Sequence, residues 1–148
     1  MCGETLIEMA AELNPTLEKI VAKFEKIAEP KRRYEYLLWF AKRLPAMPED
    51  LQVPENKVVG CVSQVYVHAV CTDGIVEFQA TSDAQITKGL VAFLVEGLAG
   101  LSPQEIVKLT PDFIQRTGLN MSLTPSRSNG FYNIFKTMQQ QAASFLAD

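Results

Sequence analysis

Three cysteines and one histidine, Cys2, Cys61, Cys71 and His68, are the side chains of this sequence best suited to nucleophilic, redox or metal chemistry. Structural zinc sites use ligands paired about two to four residues apart. No Cys-x-x-Cys occurs here, and Cys61 and Cys71 stand ten residues apart, so the spacing argues against a metal site. A cysteine hydrolase needs an imidazole beside its thiol. His68 is the only histidine, and its odd separation from Cys61 puts the two on opposite faces of any regular strand that holds both. Three cysteines give no disulfide framework, so at least one thiol stays free within the monomer, as suits a reducing compartment.

The contexts of the thiols differ. Cys2 follows Met1 and Cys71 borders a turn, and both read as incidental. Cys61 lies in KVVGCVSQVYVHAVC, directly after Gly60, where a loop gives way to a strand. The glycine permits a backbone conformation closed to other residues, and the preceding loop can cover or expose the thiol. On these features alone Cys61 is either a small buried hydrophobe or a reactive thiol on a loop.

The elements that position it follow from periodicity. Asn14 and Pro15 open a helix carrying Leu17, Ile20, Val21, Phe24 and Ile27 at helical spacing. Glu29-Pro30 ends it, and KRRYEYLLWFAKRL forms a second helix with Tyr34, Leu37, Leu38 and Ala41 on one stripe. PAMPEDLQVPENKVVG has three prolines and no period, which predicts a long loop with few regular hydrogen bonds. Val65, Val67 and Ala69 alternate with Gln64, Tyr66 and His68 up to Asp73-Gly74, a two-residue hairpin signal, and IVEFQA returns. Ser82-x-x-Gln85 matches a capping box before ITKGLVAFLVEGL, a helix so apolar that it must be central. Ser102-Pro103 and Thr110-Pro111 cap two short helices, the second ending at Gly118. After LTPSRSNG, a last helix presents Phe131, Ile134, Phe135, Met138, Ala142, Phe145 and Leu146. The order predicts an α+β domain, an antiparallel β-sheet (hairpin Val62–Ala80) packed against helices.

Composition narrows the function classes. The chain has 148 residues, enough for one core, with 47% hydrophobic and 21% charged residues. Its 17 acidic and 14 basic residues give a net charge of −3, without the basic excess a nucleic-acid binder needs. GLVAFLVEGLAGL is well short of the roughly 20 residues that span a bilayer, so no membrane role is expected. The N-terminus does not read as a signal peptide, which predicts a cytoplasmic protein.

Three blocks carry a family resemblance. GCVSQVYV resembles the Gly-Cys-x-Ser-Gln-Val signature of the SufE sulfur-acceptor proteins. SDAQITKGL and LTPSRSNG resemble that family's other two characteristic stretches, in the family's order and at similar separations. With the RLP closing the second helix, the likeness runs from about Phe24 to the C-terminus. It implies a single SufE-like domain over residues 1–148 with the fold shared by SufE and IscU proteins, and it calls for no cofactor.

The resemblance also implies a chemistry. Cys61 would receive a sulfane sulfur from the persulfide of a cysteine desulfurase of the SufS or CsdA type, stimulate that enzyme, and pass the sulfur toward an iron–sulfur cluster scaffold. Gly60, Ser63 and Gln64 match the motif around the acceptor thiol, and Asp83 matches the acid that opens the long helix. Arg127 matches the arginine of the TPSRS block. It either approaches the thiol, where a guanidinium favours thiolate, or is an exposed first-turn arginine bonded to a loop carbonyl. Val62 and Tyr66 depart from the glutamine and tryptophan common in relatives, and both keep strand propensity. The alternative is an IscU-like iron–sulfur scaffold or metal module using Cys61, Cys71 and His68. Neither Cys2 nor Cys71 falls at a recognisable scaffold position.

Overall fold

A computed structural model describes residues 13–146; Cys2 lies outside them. Helix α1 (Pro15–Glu25) buries Leu17, Ile20, Val21 and Phe24, as its spacing predicts. Asn14 precedes it without capping it, because its side-chain amide donates instead to the carbonyl of Gly97 at 2.8 Å. Helix α2 (Pro30–Arg43) buries Leu37, Phe40 and Ala41. Phe40 replaces Leu38 on the buried stripe, because its ring joins an aromatic cluster with Tyr36 and Phe93.

The proline-rich connection is more ordered than its sequence suggests. Two single turns of 3₁₀ helix, Glu49–Leu51 and Pro54–Asn56, occupy it. The Gln52 and Asn56 side chains donate to the Met47 and Leu51 carbonyls, and Met47 is buried. Side-chain amides supply the hydrogen bonds that the prolines cannot.

Strands β1 (Val65–Thr72) and β2 (Ile75–Ser82) form one antiparallel pair, in register from Val65 opposite Ser82 to Thr72 opposite Ile75. Asp73 and Gly74 both take positive φ, 53° and 79°, the mark of the turn whose twist matches a hairpin. Val65, Val67, Val76 and Ala80 are buried beneath the helices. The hairpin is thus Val65–Ser82 rather than Val62–Ala80. The Gln64 N–H bonds to the Asp83 side chain instead of continuing the ladder, and Ser82 pairs with Val65.

That pairing also removes the expected capping box. Helix α3 (Gln85–Gly97) starts three residues beyond Ser82, after Ala84, and has no side-chain cap. It is central as expected, burying Gly89 through Leu94 and packing against α1, α2, β2 and the last helix. The cap expected at Ser102 is present on α4 (Pro103–Lys108), and the structure completes it into a capping box, with both reciprocal bonds to Glu105 formed. Thr110 does not cap α5 (Asp112–Arg116), because Pro111 occupies the cap position. A further short helix, α6 (Leu119–Ser122), follows Gly118, whose φ of 74° turns the chain.

Helix α7 (Pro125–Ser144) begins inside the stretch expected to be a loop, capped by Thr124, whose Oγ1 accepts from the Arg127 N–H at 3.3 Å. Phe131, Ile134, Phe135, Met138 and Ala142 are buried, and Leu146, beyond the helix end, is exposed. The Gln141 amide of α7 donates to the Val67 carbonyl at 2.7 Å, covering the outer edge of β1. Among the described residues no helix is long and apolar enough to cross a membrane.

Candidate functional site

The loop between the second 3₁₀ turn and β1 is closed at its base and tied down by a few side-chain bonds toward its two ends. At the base, Lys57 bridges Tyr66 and the Val58 N–H donates to the Val65 carbonyl at 2.8 Å, with Val58 buried. Gly60 adopts a φ of +87°, which a Cβ would strain. Its carbonyl accepts from the Asn133 side-chain amide of α7 at 2.9 Å. Ser63 Oγ lies 3.3 Å from Thr87 Oγ1 on the first turn of α3. The Gln64 N–H donates to Asp83 Oδ1 at 3.0 Å and the Asp83 N–H returns to the Gln64 carbonyl at 3.2 Å.

Held in this way, Cys61 is partly buried against the hydrophobic core and turned toward α7. Its thiol donates to the Gly130 carbonyl at 3.5 Å, a contact that a side chain at residue 130 would crowd, since a Cβ there would sit 3.3 Å from Sγ. The loop is inverted relative to ordinary burial. Val59 and Val62 on either side of the cysteine are 86% and 83% exposed while the thiol is tucked in.

A cavity of about 290 Å³ opens beside the thiol, lined by Cys61, Val62, Ser63, Thr87, Thr124, Ser126, Arg127 and Gly130. Of the sequence-predicted residues, Cys61, Ser63 and Arg127 meet there. Gly60, Gln64 and Asp83 lie behind it as loop anchors. Arg127 is exposed, and among the described residues its guanidinium has no hydrogen-bond partner. Burial pushes the Cys61 thiol above its ordinary range, and no charge opposes that shift. Arg127, which the sequence left as either a thiolate-favouring neighbour or an exposed first-turn arginine, stands exposed at the cavity wall, and burial favours the neutral form of the thiol.

Thr87, Thr124, Ser126, Asn133 and Gly130 were missed by sequence reasoning. Thr124-Pro125 carried a legible cap signal of the kind read at Ser102-Pro103. Asn133 and Gly130 carried none, since each matters only through a contact some seventy positions away. Cys71 is exposed near the hairpin turn, opposite Val76, and His68 stands opposite Gln79 on β1. Among the described residues no three His, Cys, Asp or Glu side chains are grouped so as to hold a metal ion, so Cys61, Cys71 and His68 are not brought together.

A family profile and several of the similar proteins carry the same family name. The profile described as "SufE: Fe-S metabolism associated domain" matches residues 18–142. A SufE-like protein of Synechocystis is 58% identical over 95% of this chain and 88% of its own length. SufE-like protein 1, chloroplastic/mitochondrial, of Arabidopsis thaliana is 46% identical over 88% of this chain and 36% of its own. Cysteine desulfuration protein SufE of Plasmodium vivax is 37% identical over 90% of this chain and 55% of its own. The chain thus spans most of the first and only about a third to a half of the other two. Among solved structures, the solution structure of a hypothetical protein from Thermus thermophilus superposes with a TM-score of 0.79 at 26% identity, over 93% of this chain and all of that one.

Proposed function

This chain belongs to the SufE family, and on that footing we propose that Cys61 accepts a sulfane sulfur from a partner cysteine desulfurase of the SufS or CsdA type. The Cys61 thiolate attacks the outer sulfur of the donor persulfide. The bond between the donor's two sulfurs breaks, the donor thiolate leaves, and a Cys61 persulfide remains. Removing the sulfur frees the desulfurase for its next turnover, so the chain acts as its activator and then delivers sulfur to an iron–sulfur scaffold. It does so as one SufE-like domain over residues 1–148, in the cytoplasm, where thiols stay reduced.

The observation that carries this reading is the setting of Cys61. It faces a cavity from an anchored loop whose neighbouring valines are exposed, whereas Cys71 stands on the surface with no such setting. Intact-mass measurement after incubation with a desulfurase and L-cysteine tests it. One added sulfur on the wild type, lost in Cys61→Ser and kept in Cys71→Ser, is the expected result. Uptake by Cys61→Ser equal to the wild type would sink the reading.

A further inference from the structure

Sulfuration changes Cys61 from a hydrogen-bond donor into an acceptor, and the resting site is built for the donor. The S–H points at the Gly130 carbonyl at 3.5 Å. A persulfide has no proton on its inner sulfur, and its outer sulfur, more acidic than a thiol, carries negative charge at neutral pH. A carbonyl oxygen repels both. The sulfurated side chain must turn from Gly130 toward groups that donate.

Such groups line the adjoining cavity. Thr87 is 5% exposed, one of two buried polar residues among those described. The other, Thr117, has its hydroxyl fully used, donating to the Ile114 carbonyl and accepting from the Leu119 N–H. Thr87 is different, because among the described residues its hydroxyl meets only Ser63, on the cysteine loop itself, at a long 3.3 Å. One hydrogen of that pair is left over whichever oxygen donates. Ser126 Oγ and the Arg127 guanidinium, on the same cavity wall, have no hydrogen-bond partner among the described residues. The Thr87 hydroxyl thus keeps hydrogen-bonding capacity that another state of the site can use.

We propose that this cavity receives the anionic outer sulfur of sulfurated Cys61, with Thr87 as its buried binding residue and Ser126 and Arg127 completing the set of donors. The inference rests on Cys61 being the sulfur acceptor. Loading then moves the side chain from the Gly130 carbonyl to the hydroxyl wall, and the site distinguishes the loaded from the empty protein by reversing one hydrogen bond.

The test uses full-length protein loaded by a desulfurase with L-cysteine, separated, and followed by intact mass while glutathione strips the sulfur. Thr87→Val should lose its sulfur about tenfold faster than the wild type, since a hydrogen bond to a charged group is removed. Thr87→Ser, which restores the hydroxyl, should hold it as the wild type does. Equal lifetimes for Thr87→Val and the wild type would overturn the inference. So would an equal loss in Ser63→Ala, which breaks the resting bond but keeps the buried hydroxyl, because the effect would then be loop anchoring. Should Thr87→Val fail to fold, Ser126→Ala decides: in loaded protein the midpoint of persulfide alkylation against pH should move upward, and an unmoved midpoint overturns the inference. A wild type that takes up no sulfur would sink the acceptor reading, and this inference with it. Uptake followed by identical decay in all variants would sink this inference alone.

Discussion

The side-chain amide of Asn133 donates to the carbonyl of Gly60 at 2.9 Å, tying the residue before Cys61 to a helix 73 positions further along the chain. Two features make that tie specific to glycine. Its φ of +87° lies where a Cβ is strained, and a Cβ there would overlap Asn133 Nδ2. Gly60→Ala should cost about 1–2 kcal/mol in denaturant unfolding from the backbone alone. It should also release the loop, so that iodoacetamide reacts faster with Cys61. A stability loss with an unchanged alkylation rate would show that the anchor does not govern access to the thiol.

Gly130 makes a complementary case, because access to the thiol should rise without a loss of stability. A methyl at Gly130 would lie 3.3 Å from Cys61 Sγ, close enough that the sulfur must give way by a few tenths of an ångström. The position is inside α7, where alanine is favoured over glycine by about 1 kcal/mol. Gly130→Ala should therefore leave the melting temperature unchanged or raised while exposing Cys61. Slower alkylation in this variant would mean that the cavity closes over the thiol instead.

The pH dependence follows from the direction of the Cys61 shift. Burial raises its pKa, so the native chain keeps the proton over a window where the unfolded chain has lost it. The stability contributed by the neutral thiol is intact below the ordinary thiol pKa and is lost as pH rises through the raised one. Alkylation of Cys61 in the free protein should accordingly rise with pH to a midpoint above that of denatured protein. A midpoint below it would mean that Arg127 already acts on the thiol at rest.

Elements with a strong internal period were legible in the sequence. The α7 face, the central apolar α3 and the Asp73-Gly74 turn each announce themselves within a dozen residues. The start of α7 was overlooked despite its Thr124-Pro125 cap signal, because Ser126, Arg127, Ser128 and Asn129 show no apolar period where the helix borders solvent and the cavity. Ser82 misled for a different reason. Its capping pattern was real in local terms, but the ladder with Val65 claimed its backbone first. Cys61 could be singled out by its glycine and its motif, whereas the hydroxyl wall facing it comes from α3 and α7, and no local signal links those segments to residue 61.

The C-terminal core face gives a stability prediction independent of the site. Phe135 is buried with its ring edge-on to Phe113, centroids 5.1 Å apart. Phe135→Ala should cost about 3–5 kcal/mol. For a domain of this size that lowers the melting temperature by roughly 2–4 °C per kcal/mol. A loss below about 1 kcal/mol would mean that the core closes over the gap.

The last prediction concerns how a partly buried thiol meets a donor. Attack on a persulfide needs a reachable thiolate, and the resting loop offers a sheltered neutral thiol beneath two exposed valines. The ties that hold it are few and mostly at its edges: Asn133 to Gly60, Thr87 to Ser63, Asp83 to Gln64. A partner that buries Val59 and Val62 gains apolar area in exchange for those bonds, at roughly 25 cal/mol per Å² removed from water. The closed base at Val58 and Val65 lets the tip from Val59 to Ser63 move without disturbing the hairpin. Iodoacetamide should therefore modify Cys61 slowly in the free protein and faster when a catalytically inactive desulfurase is added. Val59→Asp should abolish that acceleration while leaving the free-protein rate nearly unchanged, since that side chain is exposed at rest and does not line the thiol's cavity. Equal rates with and without the desulfurase would instead make Cys61 an acceptor in its resting position, with the valines serving no docking role.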